Sequence, residues 1–344
     1  MRIYLLAYLA TISLFAVALT LRDKSAARKN GMRIKELTLL AVSAIGGSAA
    51  MFLAMLAVRH KTRRIKFMAG ILLIMLLQIA TVLAAFNQGL SVSRFSVETD
   101  MVDGEIKLVL VADLHSCDYG DGQKELLEAI DAAMPDAVLL CGDIFDDGLP
   151  PENAIEFTAG VTAKYPCYYV SGNHEYWSGR ADVFKNILES YGVEVFEGTT
   201  CVLEVRGDRI RIGGIDDPDV DRYTSRSIPY AEQVEQLSAL FNSDMYNVLL
   251  SHRPERIEEL LPLQPGLVLS GHAHGGQWRM PLILGNGLFS PNQGFFPKYA
   301  NGRHLFGETK LIVSRGLARE TTTVPRLFNR PEIVVITVTR IKGV

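Results

Sequence analysis

Asp113-Leu114-His115, Gly142-Asp143-Ile144-Phe145-Asp146 and Gly172-Asn173-His174-Glu175 follow one another at intervals of about thirty residues. Two further pieces, Ser251-His252-Arg253 and Gly271-His272-Ala273-His274-Gly275-Gly276, lie nearer the C-terminus, and together the five hold five of the seven histidines. One such histidine alone is more often a hydrogen-bonded structural residue, but five pieces in this order are not explained that way. Asp113 and His115 are two apart, so in an extended segment they project to one side and can hold the same ion. Asp143 offers an anionic two-oxygen group able to bridge two metals, and Asn173 a neutral amide oxygen. With His252, His272 and His274 these complete two mixed oxygen–nitrogen shells, which suit Mn, Fe or Zn better than Ca. Two divalent ions ~3.5–4 Å apart lower the pKa of bound water and stabilise attacking and leaving oxygens in displacement at phosphorus.

Each piece follows an apolar run that reads as a buried strand: residues 106–111, 137–141, 167–170, 248–250 and 267–269. Amphipathic segments at 123–134 and 181–191 read as helices between the early strands, and Pro150-Pro151-Glu152 opens another. Farther on, residues 202–205 and 209–212 flank Arg206-Gly207-Asp208, a hairpin signal. Helices at 230–241 and 255–261 and closing strands at 310–313 and 333–338 follow, and Thr321-Thr322-Thr323 reads as a loop. A βαβ first half and a hairpin-bearing second half predict two packed mixed β-sheets flanked by helices, an α/β fold. Ligands in such sheets gather beyond the carboxyl ends of the strands, where these motifs fall.

The 344 residues divide sharply in composition. Apolar stretches at 3–21, 37–58 and 67–86 are each long enough to cross a hydrocarbon core of ~30 Å. The first has only Arg2 before it and no small-residue cleavage site, which speaks against a removable signal peptide. Residues 1–97 hold 13 Lys/Arg against 2 Asp/Glu, leaving 22 against 36 in the remainder. The acidic remainder would repel a polyanion, which argues against a nucleic acid substrate. The expected domains are therefore a helical membrane domain at 1–97, with two or three embedded segments, and a catalytic domain at 98–344. The spans lack acidic residues in their interiors, which argues against a transporter.

Basic clusters at 22–35 and 59–66 flank the middle stretch on both sides, so an ordinary span would break the positive-inside rule. Gly46-Gly47-Ser48 at its centre suits a re-entrant or interfacial hairpin instead, and both readings stay open here. Either way the third stretch has basic residues before it and only Arg94 after it. It is expected to run outward, giving a multi-pass protein of the plasma membrane with an extracytoplasmic catalytic domain. The four cysteines form no C-x-x-C, and Cys141 and Cys167 fall inside expected strands.

In order and spacing the five pieces resemble the calcineurin-like metallophosphoesterase superfamily, with its D-x-H, GD-x-x-D, GNH-[DE], H and GH-x-H pattern, over about residues 105–340. Ser251-His252-Arg253-Pro254-Glu255, Asn292-Gln293-Gly294-Phe295-Phe296 and Ser314-Arg315-Gly316 are similar to its bacterial membrane-anchored subgroup. The N-terminal part resembles a small bacterial membrane domain of unknown function. The resemblance implies a four-layer α/β/β/α sandwich and a metal-dependent phosphoric ester hydrolase. Asp113, His115, Asp143 and His274 would hold one metal, and Asp143, Asn173, His252 and His272 the other. A hydroxide between them would attack phosphorus in line. His174 would serve the leaving oxygen, and Asp146 would orient His174.

Arg315 and Arg319, from a sequence cluster that also includes Arg326 and Arg330, and Arg253 beside His252 are candidate phosphate-binding residues. The aromatic loop from Leu288 to Tyr299 and the membrane anchor point to a lipid-linked or cell-envelope phosphodiester as substrate. The alternatives are a phosphomonoesterase or phosphoprotein phosphatase, and a non-catalytic metal-binding membrane module.

Overall fold

The computed structural model describes residues 2–223, 227–241, 244–281, 283–319 and 324–341; the expected Thr321-Thr322-Thr323 loop lies outside them. The chain forms two compact units, Met1–Phe86 and Asn87–Val344.

The first unit is helical: α1 (Arg2–Arg28), α2 (Glu36–Val42), α3 (Ser48–Ala57) and α4 (Ile65–Ala85). The middle apolar stretch does not run straight. Helix geometry fails at Ile45 (φ −89°, ψ 18°), and Gly46 takes φ +112°, where a side chain would be strained. A straight helix over residues 36–57 would separate its ends by ~33 Å. Instead both flanking loops converge on one carboxylate. Asp23 Oδ1 accepts the Ile34 amide at 2.8 Å, while Oδ2 lies 2.7 Å from His60 Nε2 and 2.8 Å from Lys61 Nζ. Arg64 pairs with Glu36, and Lys24 donates to the Arg59 carbonyl at 3.2 Å.

The stretch is therefore a helical hairpin whose legs of 7 and 10 residues reach only ~10 and ~15 Å. At its apex Tyr8 donates to the Ile45 carbonyl at 2.6 Å, and Gln78 Nε2 donates to the Ser43 and Ala44 carbonyls at 2.9 and 2.8 Å. The freed backbone acceptors are thus satisfied by side chains of α1 and α4, as an apolar surrounding demands.

The second unit begins earlier than the expected boundary at 97/98. β1 (Ser91–Thr99) belongs to its first sheet, pairing in parallel with β14 (Glu332–Arg340). β2 (Glu105–Val111), α5 (Lys124–Ala133), β3 (Ala137–Cys141), α6 (Glu152–Thr162), β4 (Cys167–Val170), α7 (Asn173–Trp177), α8 (Ala181–Ser190) and β5 (Glu194–Val195) follow. That sheet has the order β1-β14-β2-β3-β4-β5. The second is assembled from β6 (Thr199–Val205), β7 (Asp208–Ile215), β8 (Tyr246–Ser251), β9 (Leu267–Ser270), β12 (Gly302–Phe306) and β13 (Thr309–Val313), in the order β12-β13-β9-β8-β7-β6. Helices α9 (Val220–Tyr223), α10 (Tyr230–Leu240) and α11 (Ile257–Leu260) and the short hairpin β10 (Phe289–Ser290) and β11 (Gly294–Phe295) lie between those strands in sequence.

Period-two alternation assigns the layers. Leu108, Leu110, Leu139 and Cys141 of the first sheet meet Ile210, Ile212, Val248, Leu250, Leu267 and Leu269 of the second in one core. Val109, Val111, Val138 and Leu140 face the other way, onto α5, α6 and α8. Leu249 and Val268 do the same beneath α10 and α11. Two mixed sheets flanked by helices result, as expected, with parallel strands β2, β3, β4, β8 and β9 ending at the motif loops. Each fully buried aliphatic side chain contributes about 1.5–3 kcal/mol to holding those strand ends.

Candidate metal centre

The loops after the strands are laced together by their backbones. Asp113 N donates to Gly142 O at 3.0 Å, His115 N to Asp143 O at 2.9 Å and Gly271 N to His252 O at 3.0 Å. Their conformations are unusual: Asp113, His115, Asp143, His272 and His274 all have φ between +46° and +64°. Non-glycine residues in this region cost about 1–3 kcal/mol each and persist where the surroundings over-determine them. Gly142 is required, because at φ +77° a Cβ would lie 2.3 Å from His252 Nδ1.

Glu175 organises the centre from beneath. Its carboxylate is buried and accepts four amides: Ile144 N (2.7 Å) and Phe145 N (3.0 Å) on Oε1, Asp143 N (3.0 Å) and Gly172 N (2.8 Å) on Oε2. Burial and the nearby Asp143 push its carboxyl up to about 7 against the pull of these donors.

Potential ligand atoms of Asp113, His115 and His274 lie within 4.8 Å of one another, as do those of Asp143, His252 and His272. Asp143 Oδ2 is 3.0 Å from His252 Nε2 and 3.7 Å from His115 Nε2, between the two groups. Asp113 Oδ2, His115 Nε2 and Asn173 Oδ1 are buried without any hydrogen-bond partner. Buried polar atoms are normally satisfied. These three orphaned lone-pair donors, together with the Asp143 carboxylate, fit divalent ions.

Charge agrees with that fit. Burial alone would raise both aspartates. For Asp113 it does, but His252, His174 and His115 hold Asp143 well below the usual carboxylate range. Burial disfavours a charged His252, yet Asp143 pushes it up to about 10. Protons there balance charge that metal would balance instead, since a ligand imidazole must be neutral. His272 and His274 are held far below their ordinary value by burial and neighbouring cations, and so stand neutral already.

His174 Nδ1 lies 2.6 Å from Asp147 Oδ1 and 3.6 Å from Asp146 Oδ2. Asp146 Oδ2 instead lies 2.9 Å from His115 Nδ1. The expected partner of His174 thus orients a candidate metal ligand, and its neighbour Asp147, which the motif pattern does not single out, holds His174. Burial opposes charge on His174, but Asp143, Asp147 and Asp146 outweigh it and raise its pKa.

The candidate phosphate arginines are not free. Arg253 places a fork on Asp217 (2.6 and 2.7 Å) and reaches Asp219 at 3.0 Å. Arg315 pairs with Glu332 at 2.5 Å, and Arg319 with Glu125 at 2.9 Å. Arg326 is buried and donates to the Arg315 carbonyl at 2.8 Å; Arg330 donates to the Gly89 and Leu90 carbonyls. No local sequence pattern announces these acids, which lie far along the chain from their partners.

A cleft of about 210 Å³ opens over Asp143, His174 and His274, and Trp177, Phe289 and Pro291 form apolar wall. Phe289 and Phe295 pack edge to face at 5.5 Å across β10–β11, and Phe295 and Phe296 are 70% and 68% exposed beside that wall.

Residues 106–276 match the calcineurin-like phosphoesterase family, and the second unit is a metallophosphoesterase domain of that family, which uses a dinuclear divalent metal centre. Residues 13–67 match a protein family of unknown function, DUF1294. The uncharacterized metallophosphoesterase YkuE of Bacillus subtilis is 27% identical over 67% of this chain and 78% of its own length. The uncharacterized metallophosphoesterase Cj0846 of Campylobacter jejuni is 27% identical over 76% of this chain and 68% of its own. A Danio rerio transmembrane protein with metallophosphoesterase domain is 27% identical over 54% of this chain, which spans 44% of that relative. Among solved structures, Haemophilus influenzae NAD nucleotidase superposes with a TM-score of 0.45 at 15% identity, over 62% of this chain and 46% of that one.

Proposed function

We propose that the protein is a membrane-anchored phosphodiesterase, with a lipid-linked or cell-envelope diester as its substrate. The observation that carries the reading is the set of buried, unpartnered ligand atoms gathered around Asp143. Asp113, His115, Asp143 and His274 would hold one divalent ion, and Asp143, Asn173, His252 and His272 the other. Bound there, such ions lower the pKa of water and neutralise developing charge on phosphoryl oxygens.

The chain's own residues supply the rest. His174, partly exposed at the cleft and held by Asp147, is placed to give a proton or hydrogen bond to a leaving oxygen. Asp146 fixes the ring of His115 so that Nε2 faces the centre. Arg253, Arg315 and Arg319 are each engaged by a carboxylate, which favours a monoanionic diester over a monoester dianion. A diester carries one negative charge less, and its second esterifying group suits the wall of Trp177, Phe289 and Pro291. Exposed Phe295 and Phe296 add an apolar lip consistent with a lipid chain.

Helices α1 and α4 are long enough to span, whereas neither leg of the α2–α3 hairpin is. Both basic clusters then share one end, which the positive-inside rule assigns to the cytoplasm. The second unit, following α4, would be extracytoplasmic.

The test takes the full chain in detergent, strips its metals and restores Mn²⁺, Zn²⁺ or Fe²⁺. Metal-dependent cleavage of an aryl phosphodiester above its monoester, abolished by Asp143→Asn, is expected. Equal or faster monoester cleavage refutes the diester assignment, and absence of metal-dependent turnover on both refutes the enzyme. For sidedness, Asn30→Cys, Thr62→Cys and Gln88→Cys are made in a Cys201→Ser background and treated in intact cells with an impermeant maleimide. Labelling at 88 alone is expected. Labelling at only one of 30 and 62 refutes the re-entrant hairpin, and labelling at both but not at 88 reverses the orientation.

A further inference from the structure

Glu255 follows His252 by three residues, in the single helical turn Pro254–Arg256. Both of its carboxylate oxygens are buried and accept no hydrogen bond. Arg253 and His252 draw on its charge, but Arg253 spends its donors on Asp217 and Asp219, and Arg256 pairs with Glu259 at 3.0 Å. A buried carboxylate without a partner is costly. His272 Nε2 lies 4.0 Å from Glu255 Oε1 and is likewise buried without a hydrogen bond. Two orphaned groups of complementary chemistry thus face each other at the edge of the centre.

Two of the other histidines there show what such a neighbour does. His115 has Asp146 at its Nδ1 (2.9 Å) and His252 has the Cys141 carbonyl at its Nδ1 (2.8 Å). An acceptor at one ring nitrogen fixes the tautomer and leaves the other as the ligand, so both present Nε2. For His272 the carboxylate within reach, Glu255, lies at the opposite nitrogen, Nε2. We propose that Glu255 is the positioning residue of His272, accepting its Nε2–H so that the Nδ1 lone pair is presented to the metal centre. A side-chain adjustment of about 1 Å brings the pair to hydrogen-bonding distance. The inference rests on the metal-centre reading above and adds to it a carboxylate outside the ligand set, with a defined ring orientation for one ligand.

The test is a metal titration of the full-length protein in detergent, stripped and then followed calorimetrically with Mn²⁺, with thermal unfolding of each stripped variant as the control for folding. Wild type is expected to take up two equivalents. Glu255→Ala is expected to keep one and to weaken the other by about 10–100-fold, the usual cost of losing a partner of a ligand imidazole. Glu255→Gln, whose amide oxygen accepts the same bond, is expected to recover most of that loss. Unchanged affinity in Glu255→Ala overturns the inference while leaving the metal centre standing. If Glu255→Ala does not fold, Glu255→Gln decides: near-wild-type affinity supports positioning. A loss above tenfold in Glu255→Gln means that the negative charge itself is needed, as in direct ligation, and overturns it. Failure of wild type to bind two equivalents removes the metal centre and the inference together.

Discussion

Glu175→Gln is nearly isosteric, which makes it a sharp probe of how the motif loops are held. Each Glu175 oxygen accepts two backbone amides, so the carboxylate ties Gly172 to the Asp143–Phe145 loop at four points. Glutamine keeps one carbonyl oxygen and puts an NH₂ where the other was. Either rotamer therefore turns a donor toward two amide donors and leaves them unsatisfied. A buried donor without a partner costs about 1–3 kcal/mol, so the pair costs about 2–6 kcal/mol. For a domain of this size each kcal/mol lowers Tm by about 2–4 °C, so a fall of at least about 4 °C is expected. Both tryptophans, Trp177 and Trp278, lie in the second unit, so intrinsic fluorescence follows that unit alone. The right sample is metal-stripped protein at a pH well above the Glu175 value of about 7, where the carboxylate is ionised and no bound ions add their own stabilisation. A Tm within about 1 °C of wild type, with both metals bound on refilling, would show that the four amides do not depend on the carboxylate.

Acidic neighbours, Asp147 closest, raise the His174 pKa against the opposing effect of burial. Removing that charge in Asp147→Asn lowers the His174 pKa, so the alkaline limb of the pH–rate profile should move to lower pH with metal content unchanged; an unmoved limb denies His174 the proton-donor role. Gly316 sits at φ +70°, and a Cβ there would lie 2.4 Å from Asp113 Oδ2. Gly316→Ala is expected to lose one metal equivalent in elemental analysis while circular dichroism stays native, and retention of both metals contradicts the packing. Asp136 is raised by burial but drawn below its ordinary value by Arg206 and the Lys107 amide. A depressed carboxylate stabilises the fold above the unfolded pKa of ~3.9 and loses that contribution as pH falls. Arg206→Ala should therefore move the acid-unfolding midpoint, read by fluorescence, to higher pH, and an identical midpoint refutes the linkage.

The candidate metal centre was legible in the sequence because its candidate ligands stand directly after strands, where local pattern and chemistry coincide. β2, β3, β4, β8 and β9 announce themselves as apolar runs, and each run ends at Asp113, Asp143, Asn173, His252 or His272. What the pattern did not carry is pairing over long sequence separations. Arg253 looks available until Asp217 and Asp219 are brought to it, and Arg315 until Glu332 arrives on β14. Asp146 and Asp147 are adjacent carboxylates, and only the turn of the loop decides which meets His115 and which His174. β1 was hidden for another reason. Its alternation is imperfect, and as an edge strand it keeps polar residues on its open side, so Ser91–Thr99 resembles a linker until β14 pairs with it.

The hairpin of the first unit shows where hydropathy stops being informative. Residues 37–58 are long and apolar enough to span, and nothing in their composition excludes it. The discriminating signal lies outside them, in the two acids among the first 97 residues. Asp23 stands in the basic segment before the apolar stretch and takes His60 and Lys61 from the segment after it. Glu36 takes Arg64 in the same sense. If residues 37–58 spanned, each acid would be separated by the thickness of a membrane from the cations it binds here, and Asp23 would have to be buried without His60 or Lys61. A buried carboxylate with one partner removed loses several kcal/mol, comparable to the whole stability of a small domain. The electrostatics of two side chains therefore favour the hairpin reading, which the apolar composition of residues 37–58 leaves open.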